Sequence, residues 1–132
     1  MALKTPQQYI DSLRDGRVIY WEGERIDDIT THPLFKVPLS LVAADYEYRD
    51  PEVGELRRYQ TEDGSFAHRI YQVPRTSEDL AARVELMKHT SIGTLVAGVY
   101  MALMSVKDDV ARVNPMYAEN IERMYRHCRD ND

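Results

Sequence analysis

The side chains in this sequence whose types invite chemistry are four histidines, one cysteine and a pair of arginines beside an extended segment. His32, His68, His89 and His127 lie far apart in the chain, and none has a carboxylate or cysteine at a recognised ligand spacing. His127 and Cys128 are adjacent, but neighbours on a helix point about 100° apart. The pair therefore reads as an ordinary helix end, and no metal site is expected. Cys128 is the only cysteine, so an intrachain disulfide framework is impossible and a reducing, cytoplasmic setting fits. Arg69 and Arg75 carry the planar fork of donors that grips a carboxylate or phosphate. Among 22 Asp and Glu residues, ion pairing at the surface is the simpler role for both. No Gly-rich phosphate loop, His-Glu-x-x-His pair or Gly-x-Ser-x-Gly elbow is present, so no catalytic residue is assigned.

A second group of residues points to binding rather than catalysis. Gly93 and Gly98 fall inside a helical stretch, where each costs about 1 kcal/mol relative to alanine and so needs a packing or ligand reason. Close helix packing is the simpler reason, and a planar ligand lying against the helix is the sharper one. Tyr100, Met101 and Met104, close by, are the candidate lining of such a pocket, although a Met and aromatic stripe at helical spacing ordinarily belongs to a core.

The elements that would position these residues follow from local signals. Thr5, Pro6 and Gln8 combine a capping hydroxyl, a proline at the first helical position and a capping-box glutamine, with Gly16 as a stop. "RVIYWEGERI" alternates as a short hairpin turning at Glu22-Gly23. His32-Pro33 leads into a helix reaching about residue 48, and Asp50-Pro51 starts a short one over about 53–58. A turn at Asp63-Gly64 feeds an extended, aromatic-bearing arm that ends at Pro74, because proline pushes its predecessor away from helical angles. Thr76 then caps a long helical region over 76–106, with Glu78 and Asp79 in its first turn where the helix dipole favours negative charge. Asn114-Pro115 starts the last helix, whose apolar stripe is Tyr117, Ile121, Met124 or Tyr125, and Cys128. The expected fold is mainly α: one helical domain over 1–132 with a small β-hairpin or extended arm.

The totals narrow the function. A chain of 132 residues carries one modest core. A net charge of −5 argues against a general electrostatic grip on nucleic acid. The N-terminus has no continuous apolar region of the kind a signal peptide needs. The uncharged run over 89–106 approaches the length of a membrane span but contains His89, Thr90, Ser91, Thr94 and Ser105, so a buried helix is expected and no membrane.

Taken in order, "YIDSLRDGRVIYWEGERIDDITTHPLF", "YEYRDPEV", the Gly64 turn leading into "VPRTSEDLAAR", and "YAENIERMYRHCRDND" resemble the N-terminal helical domain of the 4-hydroxyphenylacetate 3-hydroxylase family. That family also includes chlorophenol hydroxylases and 4-hydroxybutyryl-CoA dehydratase. Thr31-His32-Pro33 together with Pro74-Arg75-Thr76 and Glu78-Asp79-Leu80 carries the likeness more specifically than any single piece. The resemblance implies one part of a flavoenzyme, with a fold like the N-terminal domain of acyl-CoA-dehydrogenase-like flavin monooxygenases. In such an enzyme reduced FAD from a separate flavin reductase supports hydroxylation of a phenolic or other aromatic substrate. It implies as partners the middle and C-terminal domains, or a partner subunit, in a homo- or hetero-oligomer. FAD would be bound mainly by those other parts, and this chain alone would be inactive.

Departures from the family pattern shape the expected site. The hydroxylases carry Gly-Arg-Ser-Pro-Asp-Tyr in the long helical region, with the arginine and tyrosine holding the substrate. Counted without gaps from Glu78-Asp79-Leu80, those places fall on Tyr100 and Met104, and "YMALMSV" lacks the pattern. The dehydratase branch has two cluster-ligating cysteines where this chain has Gly98 and Ala102, which excludes an iron–sulfur site. Tyr100, Met101 and Met104 are thus the candidate substrate-binding residues, an apolar wall suited to a larger or less polar substrate; cofactor-binding residues are not assigned. Two alternatives stand beside this: a non-catalytic interaction module derived from the same fold, and part of a dehydratase-like flavoprotein without the cluster.

Overall fold

A computed structural model describes residues 3–131, apart from the side-chain surroundings at positions 92, 93 and 95. Among the described residues the order is α1 (Pro6–Ser12), β1 (Ile19–Trp21), β2 (Glu24–Ile26), α2 (Pro33–Ala44), α3 (Gly54–Arg57), β3 (Arg58–Gln60), β4 (Phe66–His68), a 3₁₀ turn (Arg69–Tyr71), α4 (Ser77–Met87), α5 (Ile92–Ser105), α6 (Lys107–Val113) and α7 (Pro115–Asn131). The strands form two antiparallel hairpins, β1 with β2 and β3 with β4. The fold is mainly helical as expected, with a second hairpin where the sequence suggests only a turn and an arm.

The starts of the elements match the local chemistry. The Thr5 hydroxyl accepts from the Gln8 N–H while the Gln8 side chain accepts from the Thr5 N–H, a closed capping box. Thr76 and Asp79 close a second box at α4. Glu22 and Gly23 both have positive φ, as a tight two-residue hairpin turn demands.

The expected continuous helix over 76–106 is interrupted at 88–91, and the reason is a polar junction. Asp45, at the end of α2, accepts from the Ser91 N–H at 2.9 Å and from the Thr94 hydroxyl at 2.6 Å. The Ser91 hydroxyl in turn accepts from the Thr94 N–H. The first turn of α5 is thus capped from its own chain and from α2, which fixes a new helix rather than a continuation. The region after 106 is a further helix, α6, packed on α7. The α2 helix likewise ends at Ala44, short of residue 48.

The core lies where the arm meets the long helices. Ile70 and Leu86 are the largest fully buried side chains among the described residues. Ile70, Tyr71 and Tyr125 form its centre, with Val73, Ala97, Tyr100, Met104 and Cys128 packed on it. No helix among the described residues is long and apolar enough to cross a membrane.

Candidate functional site

Arg58 and Tyr59 are successive residues of β3, so their side chains point to opposite faces of the hairpin. One cleft opens on each side, with Tyr59 lining the first and Arg58 the second. The first cleft, of about 350 Å³, runs between the hairpin, the arm and the ends of α5 and α7, and reaches Met104.

Two tyrosines and the arm form its wall. The Tyr125 hydroxyl donates to the Tyr71 carbonyl at 2.6 Å, which pins α7 to the arm. Burial pushes the Tyr59 phenol well above its ordinary value, with the neighbouring Tyr125 hydroxyl and its hydrogen bond adding to the effect. Tyr59 therefore stays protonated and acts as a hydrogen-bonding wall, not as a base. The cations at the rim are each matched by an acid: Arg75 with Glu62 at 2.7 Å, Lys107 and Arg126 with Glu122 at 3.3 and 2.5 Å, and Arg129 with Asp130 at 2.6 Å. A cleft so neutralised can hold a neutral ring and offers no free charge to a reaction.

The candidate wall residues separate here. Met104 is half-buried, packs on the Ile70 cluster and also lines the cleft. Tyr100 packs on the same cluster, and its phenol is held above the ordinary value first by a hydrogen bond with the Cys128 thiol. Met101 is half-buried and belongs to neither group. The two arginines divide as well. Arg75 makes the surface ion pair, whereas Arg69 donates to the carbonyls of Leu56 and Arg58 at 2.6 and 2.7 Å and to the Gln72 side chain at 2.7 Å. Arg69 is a strut of the arm. No group of three or more His, Cys, Asp or Glu is gathered among the described residues in a way that would hold a metal ion.

A buried arginine that the sequence did not single out explains one of the glycines. Arg83 on α4 is 5% exposed, and its Nη1 donates to the carbonyls of Ile70 and Gln72 at 3.1 and 3.2 Å. Its Nη2 lies 3.1 Å from where a Cβ on Gly98 would stand, with Ile70 behind it at 3.7 Å. Gly98 is the gap that lets this guanidinium pass under α5, so packing is the account of that glycine. Gly93 lies outside the described residues for this purpose. The signal available in the sequence was an arginine seven residues into an otherwise amphipathic helix, indistinguishable there from a solvated one.

On the far side of α5, Val96, Val99, Leu103 and the capping Val106 are 66%, 55%, 38% and 43% exposed. The whole chain exposes 8898 Å², against about 7,200 Å² for a compact monomer of 15.4 kDa.

The family profile described as 4-hydroxyphenylacetate 3-hydroxylase N terminal matches residues 5–132. The oxygenase component of a 4-nitrophenol 2-monooxygenase from a Rhodococcus species is 39% identical over 79 residues, covering 58% of this chain and 15% of that protein. The oxygenase component of 4-hydroxyphenylacetate 3-monooxygenase from Thermus thermophilus is 30% identical over 140 residues, covering 98% of this chain and 28% of that protein. A crystal structure of such an oxygenase component superposes with a TM-score of 0.83 at 29% identity, covering 98% of this chain and 29% of that one. A structure of that component complexed with FAD superposes at 0.75 with 28% identity, over 98% of this chain and 28% of that one. An archaeal 4-hydroxybutyryl-CoA dehydratase shares the fold, with a TM-score of 0.71 at 17% identity over 96% of this chain and 28% of that one. The chain spans less than a third of the length of these relatives.

Proposed function

We propose, since this chain belongs to the 4-hydroxyphenylacetate 3-hydroxylase family, its residues 5–132 matching the family's N-terminal part, that it acts as one part of a two-component aromatic monooxygenase. Residues 1–132 form the N-terminal helical domain, or a separately encoded N-terminal subunit, of an enzyme that uses reduced FAD to hydroxylate a phenolic or other aromatic substrate. Its partners are the middle and C-terminal domains or a partner subunit, and a flavin reductase, in a homo- or hetero-oligomeric assembly.

The observation that carries this reading is the outer face of α5. A helix that is apolar on all sides is built to be buried, yet among its described side chains Val96, Val99 and Leu103 stay exposed. A partner over Val96, Val99 and Leu103 would complete the burial. The residues fit the ring end of a flavin or an aromatic substrate and do not fit a pyrophosphate, because the exposed apolar positions of that face are valines and a leucine and the cations of the nearby cleft are already paired. FAD supplies the oxygen-activating chemistry when the assembly binds it. This chain excludes water from one side of the cavity and shapes the substrate side through Tyr100, Met101 and Met104. With those residues in place of a charged clamp, the preferred substrate is larger or less polar than a simple phenolic acid.

The test is to recover the protein from its source through an affinity handle at Met1 and to weigh every copurifying chain under denaturing conditions. The reading predicts a tagged chain several times heavier than 15.4 kDa, or the small chain bound to a larger one. It also predicts that this material hydroxylates a phenol only when a reductase supplies reduced FAD. A small chain recovered alone and inert contradicts it and favours a non-catalytic interaction module.

A further inference from the structure

The second cleft, on the Arg58 side of the β3–β4 hairpin, has a different character. About 400 Å³ in volume, it lies between the N-terminal segment, the turn after α2 and the hairpin. Three aromatic rings line it: Tyr46, Tyr48 and Phe66. Tyr46 is fixed from behind by stacking on Tyr9, with ring centres 4.7 Å apart and planes 14° from parallel. Tyr48 is held edge-on against His68 at 6.0 Å, and the Arg58 guanidinium sits 5.0 Å from the Phe66 ring centre. The rings are thus pre-positioned, and binding pays little to order them.

Its charge balance also differs from that of the first cleft. Lys4, Arg49 and Arg58 line it against a single acid, Glu47, on a chain whose net charge is −5. Arg58 is shared with Glu55. Lys4 spends one donor on the Asn131 carbonyl at 2.6 Å, leaving two of its three. The Arg49 backbone N–H donates to Glu47, and among the described residues its guanidinium has no ion pair. A positive spot beside fixed rings, in a volume within the usual range of small-ligand sites, selects a flat ring bearing an acid group.

We infer that this cleft is a binding site for a small planar aromatic anion, its ring against Tyr48 and Phe66 and its acid group on Arg49 and Lys4. The site is separate from the Met104 cleft, lies across the hairpin from it, and does not depend on the role proposed for the chain.

The experiment titrates the 132-residue chain with two probes of one ring system, 1-naphthoate and the uncharged 1-naphthalenemethanol, followed by NMR and calorimetry. Saturable naphthoate binding is expected, with shifts centred on Tyr46, Tyr48 and Phe66, and affinity for the uncharged probe at least about fivefold lower. Arg49→Gln should weaken naphthoate about five- to tenfold and leave the uncharged probe unchanged, and Lys4→Gln should act in the same direction. Circular dichroism should not change, since Arg49 is exposed and the half-buried Lys4 makes a surface hydrogen bond to the Asn131 carbonyl. Equal affinity for the two probes, shifts mapping to another region, no saturation, or unchanged naphthoate binding in both variants would overturn the inference.

Discussion

The two sides of α5 differ in everything except hydrophobicity. Inward, Ala97, Tyr100 and Met104 meet the Ile70 cluster, Thr94 is tied to Asp45, and Gly98 makes room for Arg83. Outward, Val96, Val99 and Leu103 remain more than a third exposed. The inner side is a packed interface in which Thr94 and Arg83 are hydrogen-bonded and Met104 reaches the cleft. The outer side, among the described residues, leaves apolar side chains exposed and has the composition of an interface, which is the face the proposed function gives to other parts of an assembly. Mutations should therefore act through stability on one side and through association on the other.

The largest effect belongs to the inner side. Arg83→Met removes the Nη1 that donates to both the Ile70 and Gln72 carbonyls, and should cost about 3 kcal/mol, read as a fall of about 10 °C in thermal midpoint. Tyr125→Phe removes the hydroxyl that donates to Tyr71, and should cost about 1–2 kcal/mol in denaturant titration. Gly98→Ala sharpens the comparison. On an exposed helix this change gains about 1 kcal/mol, but here the new methyl sits 3.1 Å from a guanidinium held by two carbonyls, so a net loss is expected. Combining it with Arg83→Met should cost less than the sum of the single changes, because the obstruction is gone.

A smaller effect is set by pH. Asp79 is held below its ordinary value of 3.8, first by the Arg75 backbone N–H. A carboxyl depressed in the folded state stabilises above its unfolded value and loses that contribution as pH falls through the folded value. The melting-temperature gap between the native chain and Asp79→Asn should be full near pH 6 and shrink below about pH 4. Smallest for stability is the outer side: Val96→Asp with Val99→Asp should change the folding free energy by less than about 0.5 kcal/mol.

How much of this was legible in the sequence depended on range. The caps at Thr5 and Thr76 and the turn at Gly23 are decided within four residues, and all three were readable. The break before α5 was not, because Asp45 reaches Ser91 and Thr94 across more than forty residues and no local signal marks it. Arg83 was hidden for the same reason: its two carbonyl partners and Gly98 come together only in three dimensions. Of the wall residues, periodicity placed Tyr100, Met101 and Met104 on one helix but did not distinguish Met104, which lines the cleft, from the half-buried Tyr100, which packs beside Cys128.

The claim that α5 is an interface awaiting its partner is tested most directly by light scattering on the isolated chain over a range of concentrations. The account predicts a mass that rises above 15.4 kDa with concentration, accompanied by binding of an apolar fluorescent probe, with both effects suppressed by the Val96→Asp, Val99→Asp pair. A monodisperse 15.4 kDa particle that binds no such probe, and is indifferent to those two substitutions, would contradict it.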